Sequence, residues 1–532
     1  MKKLFVIAAV VLASLPVAAQ ETYENAKIAA TDLNGTARYV GMGGAMEALG
    51  ADISTISSNP AGIGLFRKGQ VSASFGFVSQ SGASPVVGGS TTNASFDQVG
   101  IVLSSRTGKE SWLNFGFNFH KSRNFDFILS VTDRLVNASQ NKLTYAKAKN
   151  GLLYKVNKDG SPDFNSPYVT GNQLDDIYSY NLNYDPSVNT WYYADGLERN
   201  DAYYQYDRSH EGYIGEYDFN ISGNINNRVY LGLTVGIHDV HYKHYGEYTE
   251  YNLQDAGGLF NMRVADERRI KGTGVSVKAG VIVRPIEESP FRFGVYVSSP
   301  TFYKLTTSNF TELSDGTNHH NSREIIDSRQ RTSYEFKLNT PWVFGFSLGH
   351  TIGSSVALGA TVEYTDYGAM DTRYITGTYY NYWTDTYTKE SASDDVMNRH
   401  TKETLKGVAT VKLGVEYKPV PELGLRMGYN YVSPMYKLEG FKDGTLNSDA
   451  SYVSSATDYT NWQATHRLTF GIGYSIGKFN IAAAYQFSTT SGEFHPFMNY
   501  EDYNEPVDDC IARHVDVKHK RHQVLCTLSY SF

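Results

Sequence analysis

Four sets of residues in this sequence have types and spacings that could do chemistry. Gly345-Phe346-Ser347-Leu348-Gly349 has the spacing of a nucleophile elbow, where a strained turn lifts a serine hydroxyl for attack. That turn must join a strand to a helix, and this segment lies inside an alternating strand. Gly41-Met42-Gly43-Gly44 approaches the glycine pattern that brings backbone close to a pyrophosphate, but Met46 stands where the last glycine belongs and no strand precedes it. His238, His241 and His244 are of the type that holds a metal or haem. On a strand, His238 and His244 share a face about 20 Å apart, at roughly 3.3 Å per residue, while His241 points the other way. They cannot hold one ion together. Cys510 and Cys526 are the only two cysteines, too few for a disulfide framework. Sixteen residues of descending strand separate them, far beyond the about 7 Å Cα limit of a bridge, so two free thiols are expected. No catalytic set, metal or cofactor is expected.

A different kind of site is suggested by residues 34–66, NGTARYVGMGGAMEALGADISTISSNPAGIGLF. It has no strand alternation. Gly41, Gly43 and Gly44 let the backbone turn and pack closely. Met42, Met46, Leu49, Ile53 and Ile56 recur at the spacing of one helical face. Asn59-Pro60-Ala61-Gly62 ends any helix, because the residue before a proline is pushed out of the α region. The segment reads as a compact plug inside a barrel; taken alone, it reads equally as an extension packed outside a soluble domain.

The elements that would position it follow at once. Lys2 and Lys3, the apolar run Leu4 to Leu15 and the small residues to Ala19 predict a signal peptide over 1–19. No later run is long and apolar enough for a spanning helix. The chain has 41 Tyr, 27 Phe and 48 Gly among 532 residues, with mean hydropathy −0.39. A barrel hides its lipid face in every second residue, so its mean hydropathy stays low. The net charge of −7 is spread along the chain and makes no case for nucleic acid.

Fourteen period-two segments follow: 70–79, 95–105, 112–122, 213–224, 228–244, 270–284, 290–303, 333–350, 354–368, 405–418, 423–436, 465–476, 478–489 and 516–532. In 229–238, Val229, Leu231, Leu233, Val235 and Ile237 share one face. Short and long connections alternate, as periplasmic turns and external loops do in a transmembrane barrel. Parity puts Lys278, Arg284, Arg292, Glu363, Lys412, Glu416, Arg426 and Arg467 on the lumen side. A charge facing mid-bilayer lipid would cost about 2–4 kcal/mol. His319-His320 and Lys518-His519-Lys520-Arg521-His522 read as exposed loop and strand-end residues, where basic groups could meet lipopolysaccharide. The fold class is all-β: an antiparallel barrel of about 14 strands over 67–532, with a hatch over 20–66.

GMGGAMEALGADISTISSNPAG, the strand count and the terminal Phe532 resemble the FadL/TodX family of outer-membrane transporters for hydrophobic compounds. NGTARYVGMGGA and NPAG are similar to the plug of its Bacteroidota branch, and 284–300 and 356–368 resemble family barrel segments. The resemblance implies hatch-gated, passive uptake of long-chain fatty acids or other small apolar molecules across the outer membrane, by a protein expected to be a monomer. It implies sideways exit beside a kinked strand; Gly116 in 112–122 is the candidate kink. On this reading Met42, Met46, Leu49, Ile53 and Ile56 line the ligand side, and Gly41, Gly43, Asn59, Pro60 and Gly62 shape the hatch. The alternatives are a haem-binding receptor and a surface-binding barrel that transports nothing. Loop 123–212 is polar and tyrosine-rich, with Leu152, Leu153 and Tyr154 its small apolar cluster.

Overall fold

The computed structural model describes residues 21–86, 89–164, 173–179, 182–193, 201–252, 261–314, 319–321, 333–381, 386–446, 456–501, 505 and 508–532. The expected signal peptide lies outside these residues. The period-two segments become fourteen antiparallel wall strands. They are β1 (Gln70–Ser81), β2 (Thr92–Arg106), β3 (Trp112–Asn124, resuming as Phe127–Val136), β4 (Asp201–Ile225), β5 (Val229–Asn252), β6 (Met262–Val283) and β7 (Arg292–Ser298, then Phe302–Ser314). Next come β8 (Ser333–Asn339, then Val343–Ile352), β9 (Val356–Asp366, then Asp371–Asn381), β10 (Thr386–Ser393, then Gly407–Val420), β11 (Leu423–Val432), β12 (Tyr459–Ile476), β13 (Phe479–His495) and β14 (Val515–Ser531). Pairing of β1 with β14, from Gln70 opposite Ser531 to Ser81 opposite Lys520, closes the wall.

Alternation is what builds this wall. On β5, Leu231, Leu233, Val235 and Ile237 are exposed on the outer face, while Tyr230, Thr234 and His238 are buried inside. A closed sheet has no edge to satisfy, and an apolar outer face is stable only against lipid. The protein is a multi-pass barrel of the outer-membrane type. Among the described residues no helix is long and apolar enough to cross a membrane.

Two features depart from the expected strands. First, β4, β5 and β6 run 25, 24 and 22 residues, well past the segments 213–224, 228–244 and 270–284. Their outer halves bury Tyr204, Tyr206 and Tyr248 against an external cap instead of presenting them to lipid. The cap contains α3 (Gln140–Lys149), α4 (Gln173–Tyr178) and the loop before β14. Lys147 and Asp175, both buried, pair at 2.7 Å between its helices, and Leu153 is buried beside Trp191. Second, wall strands break side by side, within the segments expected as continuous at 290–303 and 333–350 and at the end of 354–368, beyond which the strand resumes in residues expected as loop. The breaks fall at 299–301, 340–342 and 367–370. Pro300 and Pro341 have no N–H to give the ladder, and three residues of β8 there face five of β9, between the pairs Asn339–Asp371 and Val343–Thr365. On β3 the register runs through Gly116 without a shift and changes between Lys121 and Arg123.

Candidate functional site: a plugged lumen and its charged cavity

Residues 21–66 thread the lumen from the external end down to the periplasmic turns. Helix α1 (Thr22–Ala29) lies at the external end, where Tyr23 stacks on Tyr436 at 5.1 Å. It touches α5 (Asp395–Thr404), a helix of the connection between the two arms of β10. His400 of α5 accepts from the Thr22 hydroxyl at Nδ1 and donates from Nε2 to the Phe441 carbonyl, both at 2.9 Å. Burial holds the His400 imidazole below its ordinary pKa, so it stays neutral.

Below, the expected single helical face is not formed. Helix α2 (Ala37–Gly41) is capped by Thr36, whose hydroxyl accepts from the Tyr39 amide. It stops where Gly43 and Gly44 take φ of 65° and 81°. Asp52 caps a 3-10 turn at Ile53–Ser57, and Asn59 caps another at Pro60–Leu65. Met42, Met46 and Leu49 therefore pack with Leu33 and Tyr39, whereas Ile53 and Ile56 pack with Ile63, Phe66 and Val102. All five are buried between plug and wall, and none lines the cavity described next.

The hatch residues meet the wall main chain to main chain. A Cβ on Gly41 would stand 3.1 Å from Gly471 Cα, and one on Gly43 would stand 2.9 Å from the Tyr429 amide. The wall answers with its own glycines. A Cβ on Gly232 would lie 2.3 Å from the Pro60 carbonyl carbon, one on Gly280 2.0 Å from Asn59 Oδ1 and one on Gly414 2.3 Å from the Met42 carbonyl oxygen. Gly100 and Gly116 make room for Ile53 and Ile56. Asn59 accepts from the Ala61 amide and donates to the Glu47 carbonyl. Glu47 pairs with Lys412 at 2.8 Å and accepts from Thr361 and Tyr39. A Cβ on Gly62 would collide with Thr55.

Above the plug lies a cavity of about 440 Å³. Its apolar lining includes Ile28, Leu33, Phe125, Phe127, Ile214 and Trp462. Its charged lining is cationic around one carboxylate: Asp32 of the plug lies 2.9 Å from Arg123, 3.5 Å from Arg521 and 3.9 Å from Arg467. The Nε atoms of Arg123 and Arg521 are buried without a hydrogen-bond partner among the described residues. On another side Lys278 joins Glu216 and Asp218, with His120 and His238 beside them. The cavity also reaches the wall breaks, for Ser299, Thr301, Thr340, Pro341, Val343, Thr365 and Tyr367 are among its lining.

Parity located Lys278, Lys412, Glu416, Arg426 and Arg467, which are all buried. Asp32, Arg123 and Arg521 were not singled out as a site. The sequence groups Arg521 with exposed strand-end residues, yet it shares the lumen face of β14 with Gln523 and Leu525. Counting back from Ser531 by twos, along the face opposite Phe532, reaches it. His238 and His244 are buried on one face, bonded to Ser276 and Asp266, and His241 pairs with half-buried Asp239. Ser347 lies inside β8, near the Gly294 carbonyl, with no turn to lift its hydroxyl.

With this geometry in place, the barrel matches a crystal structure of a Pseudomonas aeruginosa FadL homologue at TM-score 0.51, covering 94% of this chain and 99% of that one at 12% identity. The chain has the FadL-type fold. The Pseudomonas putida toluene transporter TodX aligns over 94% of this chain and 99% of its own at 12% identity and TM-score 0.47. No family model matches the chain, and no curated protein matches it.

Proposed function

We propose that the protein takes up small, largely apolar molecules across the outer membrane by passive diffusion, with the plug as gate. The observation that carries this is the position of the cavity. It lies below an external cap and above a plug that blocks the straight path, and it extends to the breaks in β7, β8 and β9. A ligand with an apolar body fits the mixed lining and avoids the charged plug belt by leaving sideways. Exit through the wall at 340–342 and 366–370, where the pairing of β8 with β9 is interrupted, fits better than exit at Gly116, where the ladder is unbroken. Long-chain fatty acids and small apolar hydrocarbons are the two candidate substrate classes. The five buried plug residues then seal, and Asn59, Pro60 and Gly62 fix the shape of the seal.

The experiment is mass spectrometry of small molecules that copurify with the detergent-extracted protein, beside an Asn59→Ala/Pro60→Ala variant. An apolar ligand on the wild type, reduced in the variant while heat-modifiable gel mobility shows an intact barrel, supports the reading. A wild type that is empty and takes up neither a fatty acid nor toluene in cells overturns it.

A further inference from the structure

At the external end of the last hairpin, outside the lumen, three residues converge that the transport reading does not use. Glu493 and His495 stand two apart at the end of β13. His514 precedes β14. One ligating atom from each of the three lies within 4.8 Å of the others. The ladder explains the convergence. Phe494 pairs with Val515, so the next pair up brings the His495 and His514 rings to 5.6 Å, and Glu493 sits directly opposite Asp516. Residues directly opposite on a ladder share a face.

Three observations ask for a cation here. Two carboxylates directly opposite one another repel, and neither Glu493 nor Asp516 has an ion pair among the described residues. The Nδ1 atom of His495 is buried with no hydrogen-bond partner among the described residues, although the ring itself is held by stacking on Tyr459 at 4.4 Å. Among the described residues no lysine or arginine pairs with these carboxylates. That separates this cluster from the buried trio His120, Glu216 and Asp218, where Lys278 is the cation.

We propose that Glu493, His495 and His514 bind a first-row divalent transition ion of the zinc class, with Asp516 in reach as a fourth ligand. Two imidazoles and a carboxylate suit such an ion better than calcium or magnesium, which prefer all-oxygen shells. His495 and His514 flank residues 496–513, so the ion closes that loop at its base. The loop carries Phe497, Met498 and Cys510 into the external cap. Metal binding would thus fasten the cap from outside.

The test is titration of Co²⁺ into the chelator-washed, detergent-solubilised full-length protein, read by its visible absorption bands. The expected result is one saturable site, weakened at least about tenfold in a His495→Ala/His514→Ala variant. A His120→Ala variant should bind as the wild type does. Zn²⁺ should displace the Co²⁺ bands and slow proteolysis within 496–513 in the wild type and not in the His495→Ala/His514→Ala variant. The absence of saturable binding, or binding that survives the His495→Ala/His514→Ala change in a barrel still heat-modifiable on gels, would overturn the proposal.

Discussion

Asp32 is the one carboxylate that Arg123, Arg467 and Arg521 share within 4 Å. Removing one partner of a buried charge set costs about 3–5 kcal/mol, because the remaining charges stay buried unpaired. Asp32→Asn should loosen the segment between α1 and α2 and raise single-channel conductance in planar bilayers; conductance equal to wild type would sink this role for Asp32. Cys510 tests the cap at the same scale. It is fully buried, its Sγ lies 3.3 Å from the Ser139 carbonyl, and burial pushes its thiol pKa up to about 12. The thiolate is the reactive form, so maleimide should leave Cys510 unlabelled in the folded protein and label it after denaturation, as mass spectrometry of the peptide would show. Both thiols are free, as their separation along the chain required. That inference needed only strand geometry. The Asp32 cluster needed the path of the plug, which no local pattern encodes.

At the scale of elements, contacts between helices and breaks between strands are what can be tested. The α1–α5 contact depends on a neutral His400, whose pKa is lowered in the fold. A base with a depressed folded pKa gains its proton first in the unfolded state. Its stabilising contribution is therefore complete above the ordinary value of about 6.5 and is lost as pH falls below it. Amide exchange in Thr22–Ala29 should speed up as pH drops from 7 toward 5, after correction for intrinsic rates, and His400→Gln should flatten that dependence. The wall break makes a second prediction. Asn339 and Asp371 are paired just above it. An Asn339→Cys/Asp371→Cys bridge should stop uptake of a fluorescent fatty acid reversibly with reductant while leaving its binding unchanged. If uptake persists under oxidation, the exit lies elsewhere. The inward parity changes across each break, from Tyr296 to Tyr303 and Leu305, from Phe336 and Leu338 to Ser347, and from Thr361 to Thr372. That slip of phase, together with Pro300 and Pro341, which remove ladder donors, is the signal the sequence carries.

At the scale of the whole molecule, the barrel was legible because lipid imposes one requirement on every wall strand. The outer ends of β4, β5 and β6 were not, since beyond the bilayer their partners are cap residues distant in sequence. The plug was recognisable as a foreign segment, but its shape is set by the wall around it. That explains why Met42 and Ile56, equally spaced for one helix, ended in separate clusters. The wall glycines were counted but not placed. Their role predicts that Gly280→Ala, whose Cβ would meet Asn59 at 2.0 Å, destabilises plug seating by about 1–3 kcal/mol. Gly223→Ala, with open space at its Cβ, should not. Protease sensitivity of residues 21–66 in the two variants would distinguish them.

The same close fit bears on how the protein is made. Plug and wall touch through their backbones around much of the circumference, and the N-terminal helix is held at the far end by α5 and Tyr436. A finished hoop offers no passage wide enough for that helix to be drawn through afterwards. A wall that closes around a segment already in place meets no such obstacle, and the β1–β14 pairing is where it closes. On this view the plug serves as the mandrel on which the strands are wound.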